Sequence, residues 1–386
     1  MIRKRTQEVI ARGKRIKALR KERMRNELKA LNDIKPRSTK SKILNALFIS
    51  AVFFGLIIYI INVDGIEKIN HILTTADYRW ILIGFVCLLG EWIFEAIGIH
   101  IPLKKMYPKH KFIVSFKSNL VGKFFNNVTP FSSGGQPFQA YILTKYGLKM
   151  SDTFSVLMMK FIVYQSCLFS WVFILLGLNY NFFNHIFGEN MPLIVLGFAT
   201  NLIAVLFILI AGVNKNFILK IVRPIIKILA KIRFREKRII KDVDETIKYA
   251  EDSVSNYSNQ FNNIRRQKRN ILKMYIVGML QLLCYFSITF MIYKAFGNSG
   301  TSYFEIIMVQ SYLLLTMSFI PTPGSGLGAE GLFGAFFSSI FVIGSNMAIL
   351  FWRAYTYYLP IVVGPFALVS INRKVVNDEI SKEESK

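Results

Sequence analysis

A run without a single charged residue, MPLIVLGFATNLIAVLFILIAGV, occupies positions 191–213. As an α-helix rising about 1.5 Å per residue, it is long enough to cross a hydrocarbon core about 30 Å thick. Comparable apolar blocks lie on either side of it at Ile43–Val63, Ile81–Ile101, Thr153–Leu178, Ile271–Phe296, Tyr303–Ile320 and Ile349–Ile371, with a shorter one at Leu332–Met347. Charges sit between the blocks, and mean hydropathy is +0.38. The sequence therefore predicts an all-α, polytopic integral membrane protein with about eight membrane segments. Two of its elements are broken by proline and glycine and are expected to be re-entrant.

Net charge is +26 over 386 residues. On a soluble chain that excess would suggest nucleic acid, but its distribution argues against this partner. Residues 1–42 hold 16 Lys and Arg against 4 Asp and Glu, and residues 214–270 hold 15 against 6. Such basic stretches between apolar blocks follow the positive-inside bias. They place the N-terminus in the cytoplasm of a bacterial cell and suit contact with anionic lipids of the inner leaflet. Residues 102–123, with six lysines and no acid, bring the chain back to the cytoplasmic side, whereas the loop 179–190 has no Lys or Arg and suits the outside.

The chain divides into a basic N-terminal segment (1–42), a first membrane half (43–213), a cytoplasmic section (214–270), a second membrane half (271–372) and a tail (373–386). In the cytoplasmic section, Ile218, Ile221, Ile225, Leu229 and Ile232 recur at helical spacing among basic residues, as in a helix lying on a membrane surface. A seven-residue pattern follows from Ile240 to Ile264. That seam packs on the protein's own helices, or else joins a second copy or a partner protein.

The first break, within 124–150, reads Phe124-Phe125-Asn126-Asn127-Val128-Thr129-Pro130-Phe131-Ser132-Ser133-Gly134-Gly135-Gln136-Pro137-Phe138. The second, 321–331, reads Pro321-Thr322-Pro323-Gly324-Ser325-Gly326-Leu327-Gly328-Ala329-Glu330-Gly331. Irregular backbone at membrane depth must be buried in protein or line a wet cavity. Paired breaks in the two halves of a chain point to a substrate site. A helix beginning near Pro137 would turn the amides of Ser133–Gln136 toward an anion such as a lipid phosphate. Ordinary tight turns between helices are the alternative.

Charges inside apolar blocks are costly, about 2.5–3.5 kcal/mol each at a helix centre, and need a partner or a polar cavity. The candidates are Glu91, Glu95, Lys160, Glu330 and Arg353. Glu91 and Glu95 stand four apart, on one helix face. Lys160 and Arg353 either neutralise them or bind a phosphate. Alternatively, all five form salt bridges that only hold helices together. The cysteines Cys87, Cys167 and Cys284 lie inside apolar blocks and make neither a disulfide framework nor a metal spacing. No phosphate-binding loop, His-Glu-x-x-His or Gly-x-Ser-x-Gly occurs. No cofactor or metal is expected.

The run Phe125–Gln139, the stretch Pro321-Thr322-Pro323-Gly324 followed by Glu330, and Arg353 with Tyr355, Tyr358 and Pro360 resemble a known family. It is the flippase-like transmembrane family related to lysylphosphatidylglycerol synthase, the membrane part of the multiple peptide resistance factor. The likeness covers roughly 43–372. It implies a protein that translocates a phospholipid or lipid-linked head group, anionic or aminoacylated, between leaflets. In two-domain relatives a separate soluble domain makes the aminoacylated lipid from aminoacyl-tRNA. Here the longest stretch outside the apolar blocks is 214–270, far short of a catalytic domain with its own core. An enzyme of the phosphatidylglycerol lysyltransferase type and a non-transporting membrane scaffold are the alternative expectations. Residues expected at the substrate are Asn126, Asn127, Thr129, Pro130, Gly134, Gly135, Gln136, Lys160, Pro323, Gly324, Glu330, Arg353 and Tyr355. Glu91 and Glu95 are expected as a charge relay.

Overall fold

The structure is a computed structural model that describes residues 66–384, apart from 189, 232, 235–236, 239–242, 319 and 321–325. Expectations on the basic segment 1–42, the apolar block Ile43–Val63, Ile232 of the amphipathic pattern, positions 321–325 of the second break (Pro323 and Gly324 among them) and Ile240 at the start of the seam therefore lie outside the described residues.

Helices dominate what is described. A short α1 (Ile66–Thr75) precedes α2 (Tyr78–Met106), α3 (Phe112–Val128), a 3-10 turn at Pro130–Ser132, and α4 (Gly135–Lys145). Next come α5 (Met150–Leu178), α6 (Tyr180–Phe187), α7 (Met191–Val213) and α8 (Lys215–Lys231). A two-residue antiparallel ladder, β1 (Arg233–Phe234) with β2 (Lys237–Arg238), leads to α9 (Val243–Arg266). The second half holds α10 (Lys268–Ala295), α11 (Tyr303–Met317), α12 (Gly326–Phe337), α13 (Ser345–Arg353), a π-helical turn (Ala354–Tyr358) and α14 (Leu359–Glu384).

Side chains start several of these helices by binding otherwise orphaned amides. Asp77 Oδ1 accepts from Arg79 N–H at 3.0 Å ahead of α2. Asn179 Oδ1 accepts from Phe182 N–H at 3.1 Å ahead of α6. Ser302 and Glu305 form a reciprocal capping box at α11.

Five helical stretches are long and apolar enough to cross a bilayer: Tyr78–Met106, Met150–Leu178, Met191–Val213, Lys268–Ala295 and Ser345–Ile371, the last running through α13 into α14. The expected count of about eight is not reproduced among the described residues. The 15 residues of α11 and the 12 of α12 are too short to span alone. Within the lysine-rich region 102–123, α2 continues to Met106 and α3 starts at Phe112. The first break is the end of α3, a tight turn and the start of α4, with α3 and α4 packed on each other.

Close packing relies on small residues where helices cross. A Cβ on Gly197 of α7 would stand 2.8 Å from the Leu315 carbonyl of α11. A Cβ on Gly364 of α14 would stand 2.3 Å from Phe124 Cβ of α3. A buried aromatic cluster fills the second half, with Phe333 stacked on Phe337 at 4.5 Å and against Trp352 at 5.0 Å between ring centroids. Outward, Leu82, Val86, Val195, Ile203, Phe207 and Phe366 are exposed apolar residues on spanning helices, as a lipid-facing surface requires.

In the section 214–270, Ile221, Ile225 and Leu229 of α8 are exposed while Ile226 is buried. The C-terminal part of the seam is covered by the chain itself, since Phe261 and Ile264 are buried and α9 packs on α5 and α7. Ser258 Oγ donates to the Gly212 carbonyl at 3.0 Å, and Ser155 Oγ to that of Tyr257 at 3.0 Å.

Candidate functional site

Glu91 and Glu95 project from one face of α2, buried to 4% and 9% exposure. Lys123 of α3 reaches both, at 2.8 Å from Glu91 Oε1 and 2.6 Å from Glu95 Oε2. Lys160 of α5 pairs with the other Glu95 oxygen. Gln281 of α10 donates to Glu91 Oε1 at 3.1 Å. Two carboxylates and two ammonium groups thus join α2, α3 and α5, and an amide ties in α10. Equal numbers of opposite charges in contact are what makes burial of this group tolerable.

A second ion pair links Glu330 of α12 to Arg353 of α13, Nε to Oε1 at 3.2 Å. Arg353 is 2% exposed, and its guanidinium carbon lies 4.4 Å from the Tyr357 ring centroid. Right after Arg353 the helix widens into its π-helical turn, a distortion that recurs at functional sites. Pro360 has no N–H to offer the Thr356 carbonyl four residues earlier. Asn127 of the first break supplies a donor instead: its Nδ2 donates to the carbonyls of Thr356 at 3.4 Å and Tyr357 at 3.1 Å. Tyr355 OH donates to the Ile81 carbonyl of α2 at 2.7 Å.

The rest of the first break is occupied with its own turn. Gly134 N–H donates to Thr129 Oγ1 and Gly135 N–H to Asn126 Oδ1, each at 2.8 Å. Ser133 N–H donates to the Pro130 carbonyl at 3.2 Å. The expected amide cradle is therefore corrected: three of the four amides of Ser133–Gln136 already have partners inside the motif. The turn also holds Phe131 and Ser132 at φ of 54° and 50°, a left-handed conformation rare without glycine.

Between these parts lies a cavity of about 240 Å³. Glu91, Lys123, Asn126, Asn127, Arg353 and Tyr355 contribute to its wall, as do Gln165 of α5 and Asn201 of α7. Of the residues expected at the substrate, Asn126, Asn127, Arg353 and Tyr355 meet there, together with Glu91 from the expected relay. Glu95, Lys160 and Glu330 do not line the cavity. Glu95 touches Lys123, Lys160 joins through Glu95, and Glu330 pairs with Arg353. Thr129, Gly134 and Gly135 serve the turn, Pro130 opens it, and Gln136 sits in the first turn of α4.

Sequence reasoning missed Lys123, Gln281, Gln165 and Asn201. Among the six lysines of 102–123, Lys123 is marked out by the recurrence of Asn119, Lys123 and Asn127 every four residues, a polar helical stripe. The three amides carry no charge, so nothing sets them apart from other polar residues inside apolar blocks.

Spanning helices around a charged internal cavity define a multi-pass helical membrane protein. The chain belongs to the family described as the lysylphosphatidylglycerol synthase transmembrane region, which matches residues 43–364. It is similar to a UPF0104 membrane protein of Archaeoglobus fulgidus, 22% identical over 335 residues, covering 81% of this chain and 92% of that one. A UPF0104 membrane protein of Methanocaldococcus jannaschii is 24% identical over 357 residues, covering 87% of this chain and 98% of that one.

Proposed function

We propose that the protein moves a phospholipid or lipid-linked head group between leaflets, with the head group in the charged cavity and the acyl chains left in the bilayer. The observation that carries this reading is the cavity itself, which gathers Arg353, Lys123 and Glu91 among membrane-spanning helices. A volume of about 240 Å³ suits a head group, not two acyl chains that each reach across half of a core about 30 Å thick. Arg353 and Lys123 supply donors for a phosphate, and Glu91 supplies charge for a cationic substituent. Asn126 and Asn127 contribute through side-chain amides where the backbone amides of the turn are occupied. Glu95, Lys160 and Glu330 set the charge state of the residues on the wall. In this reading α8 lies on the cytoplasmic leaflet with Ile221, Ile225 and Leu229 in the acyl boundary and its lysines at anionic head groups.

The test is a flip assay. Purified chain is placed in liposomes carrying head-labelled phosphatidylglycerol or its lysyl derivative, and a membrane-impermeant quencher is added. The expected result is loss of the protected half of the signal faster than in protein-free liposomes. Arg353→Ala and Glu330→Gln should slow that loss by about tenfold or more, the weight of one charge-assisted hydrogen bond. Wild-type rates in either correctly inserted variant would remove those residues from the mechanism. No acceleration by the wild type would remove transport.

A further inference from the structure

The wall of the cavity contributed by α5 and α7 carries no charge, and its amides are oriented by one another. Asn201 is 3% exposed. Its Nδ2 faces three acceptors: the Gly197 carbonyl at 2.7 Å, the Leu315 carbonyl at 3.0 Å and Ser318 Oγ at 2.6 Å. Ser318 Oγ donates its own hydrogen to the Leu315 carbonyl at 2.9 Å, so it accepts from Asn201. Turning the Asn201 amide over would set its oxygen against two carbonyls. The nitrogen position is thereby fixed, and Oδ1 must point the other way. There it accepts from Gln165 Nε2 at 2.7 Å. That contact fixes the second amide in turn, because the reverse orientation would press two oxygens together. The polar atom that remains at Gln165 is Oε1, an acceptor. Gln165 is 6% exposed and lines the cavity, and its Oε1 has no hydrogen-bond partner among the described residues.

A buried acceptor without a donor is costly, and a site built around one rejects ligands that cannot supply the hydrogen. Phosphate oxygens are acceptors and cannot supply it. A primary ammonium or a hydroxyl can, whereas a quaternary trimethylammonium has no N–H.

We propose that Gln165 is a specificity-determining residue that offers Oε1 to the lipid head group, so that the site selects head groups bearing an N–H or O–H donor over N-methylated ones. The inference rests on the cavity being a lipid head-group site. In it the charged residues hold the phosphate and the amide pair reads the substituent beyond it. Asn201 acts as a positioning residue: it touches Gln165 and holds the acceptor in place.

The experiment measures binding, not transport. Purified full chain in detergent is given an equal mixture of phosphatidylglycerol, phosphatidylethanolamine and phosphatidylcholine with identical acyl chains. After washing, retained lipid is quantified by mass spectrometry. The wild type is expected to retain the glycerol and ethanolamine lipids about tenfold over the choline lipid, the weight of one hydrogen bond to a buried acceptor. The ratio between those two lipids reports whether a hydroxyl or an ammonium is the better donor. Gln165→Met, close in shape and without the acceptor, should bring the ratio to the choline lipid close to one while total lipid stays within about twofold, well under the weight of one such bond. Gln165→Glu, which in its neutral form still donates to Asn201 and keeps an acceptor oxygen, should retain the preference. Equal retention of all three lipids by the wild type, or an unchanged preference in Gln165→Met, overturns the proposal and leaves the lipid site standing. A wild type that retains no phospholipid above an empty-micelle control overturns the lipid site and this proposal with it.

Discussion

Lys123 has a carboxylate on either side, 2.8 Å from Glu91 and 2.6 Å from Glu95. Its loss leaves two buried carboxylates facing one remaining ammonium, that of Lys160. Lys123→Met is therefore expected to destabilise the protein by about 3–5 kcal/mol, the cost of breaking a buried pair from one side. Thermal melting of the purified protein in detergent checks this; an unchanged midpoint would mean that the ion pairs are not formed. A different single residue, His110, lies in the short link between α2 and α3. Burial, followed by the nearby His100 and Lys104, lowers its pKa to about 4 from an ordinary value of 6.5. Its ring accordingly stays neutral beside Ser115, 2.8 Å away. Because the folded pKa is the lower one, the unfolded chain binds more protons between the two values. Stability is expected to be complete above about pH 6.5 and to fall as pH drops toward 4, with His110→Gln flattening that slope in pH-dependent melting.

The helix that carries Arg353 is repaired by a residue from another helix. Asn127→Ala removes the donor for the Thr356 and Tyr357 carbonyls and should cost about 1–3 kcal/mol. Pro360→Ala returns an N–H to the Thr356 carbonyl. The two substitutions are thus expected to be less than additive in melting experiments, and strict additivity would mean that they do not share a partner. Most elements were readable from local pattern: Met191–Val213 has the same bounds in the sequence and in the structure, and the blocks at Ile81, Thr153 and Ile271 differ from their helices by a few residues at the ends. The helix α3 is not readable as a packed element because Lys117 and Lys123 speak only for the side of the membrane, and the compensating acids lie on α2. The second break combined a legible residue, Glu330, with an illegible relation, since nothing local indicates that it meets Arg353. The site is legible as a set of unusual residue types and illegible as a geometry. Its ion pairs join helices whose proximity is a property of packing.

Across the whole molecule, the paired charges gathered around the cavity balance: Glu91, Glu95 and Glu330 against Lys123, Lys160 and Arg353. Balance, more than any one residue, is what the bundle needs. Glu95→Gln and Lys160→Met made together are expected to be milder than either alone, by about 2 kcal/mol or more, because the double variant leaves no odd charge behind. Comparing melting of the three proteins checks this, and a double variant as damaged as the sum of the singles would show that the pair is not coupled. Close approach is also a whole-molecule property. Gly197→Val would place side-chain atoms against the α11 backbone and should cost about 1–3 kcal/mol by overpacking, read as a loss of folded protein on gel filtration.

The contact between Asn127 and the Thr356 and Tyr357 carbonyls joins residues 229 and 230 positions apart. During synthesis, a chain arrested before Ser345 would already own Glu91, Glu95, Lys123 and Lys160, yet its wall on the Arg353 side would not have been translated. The pocket is therefore closed only after α13 and the turn that follows it have been made. Until then Asn127 waits in α3 for carbonyls that do not yet exist, and Glu330 for its arginine.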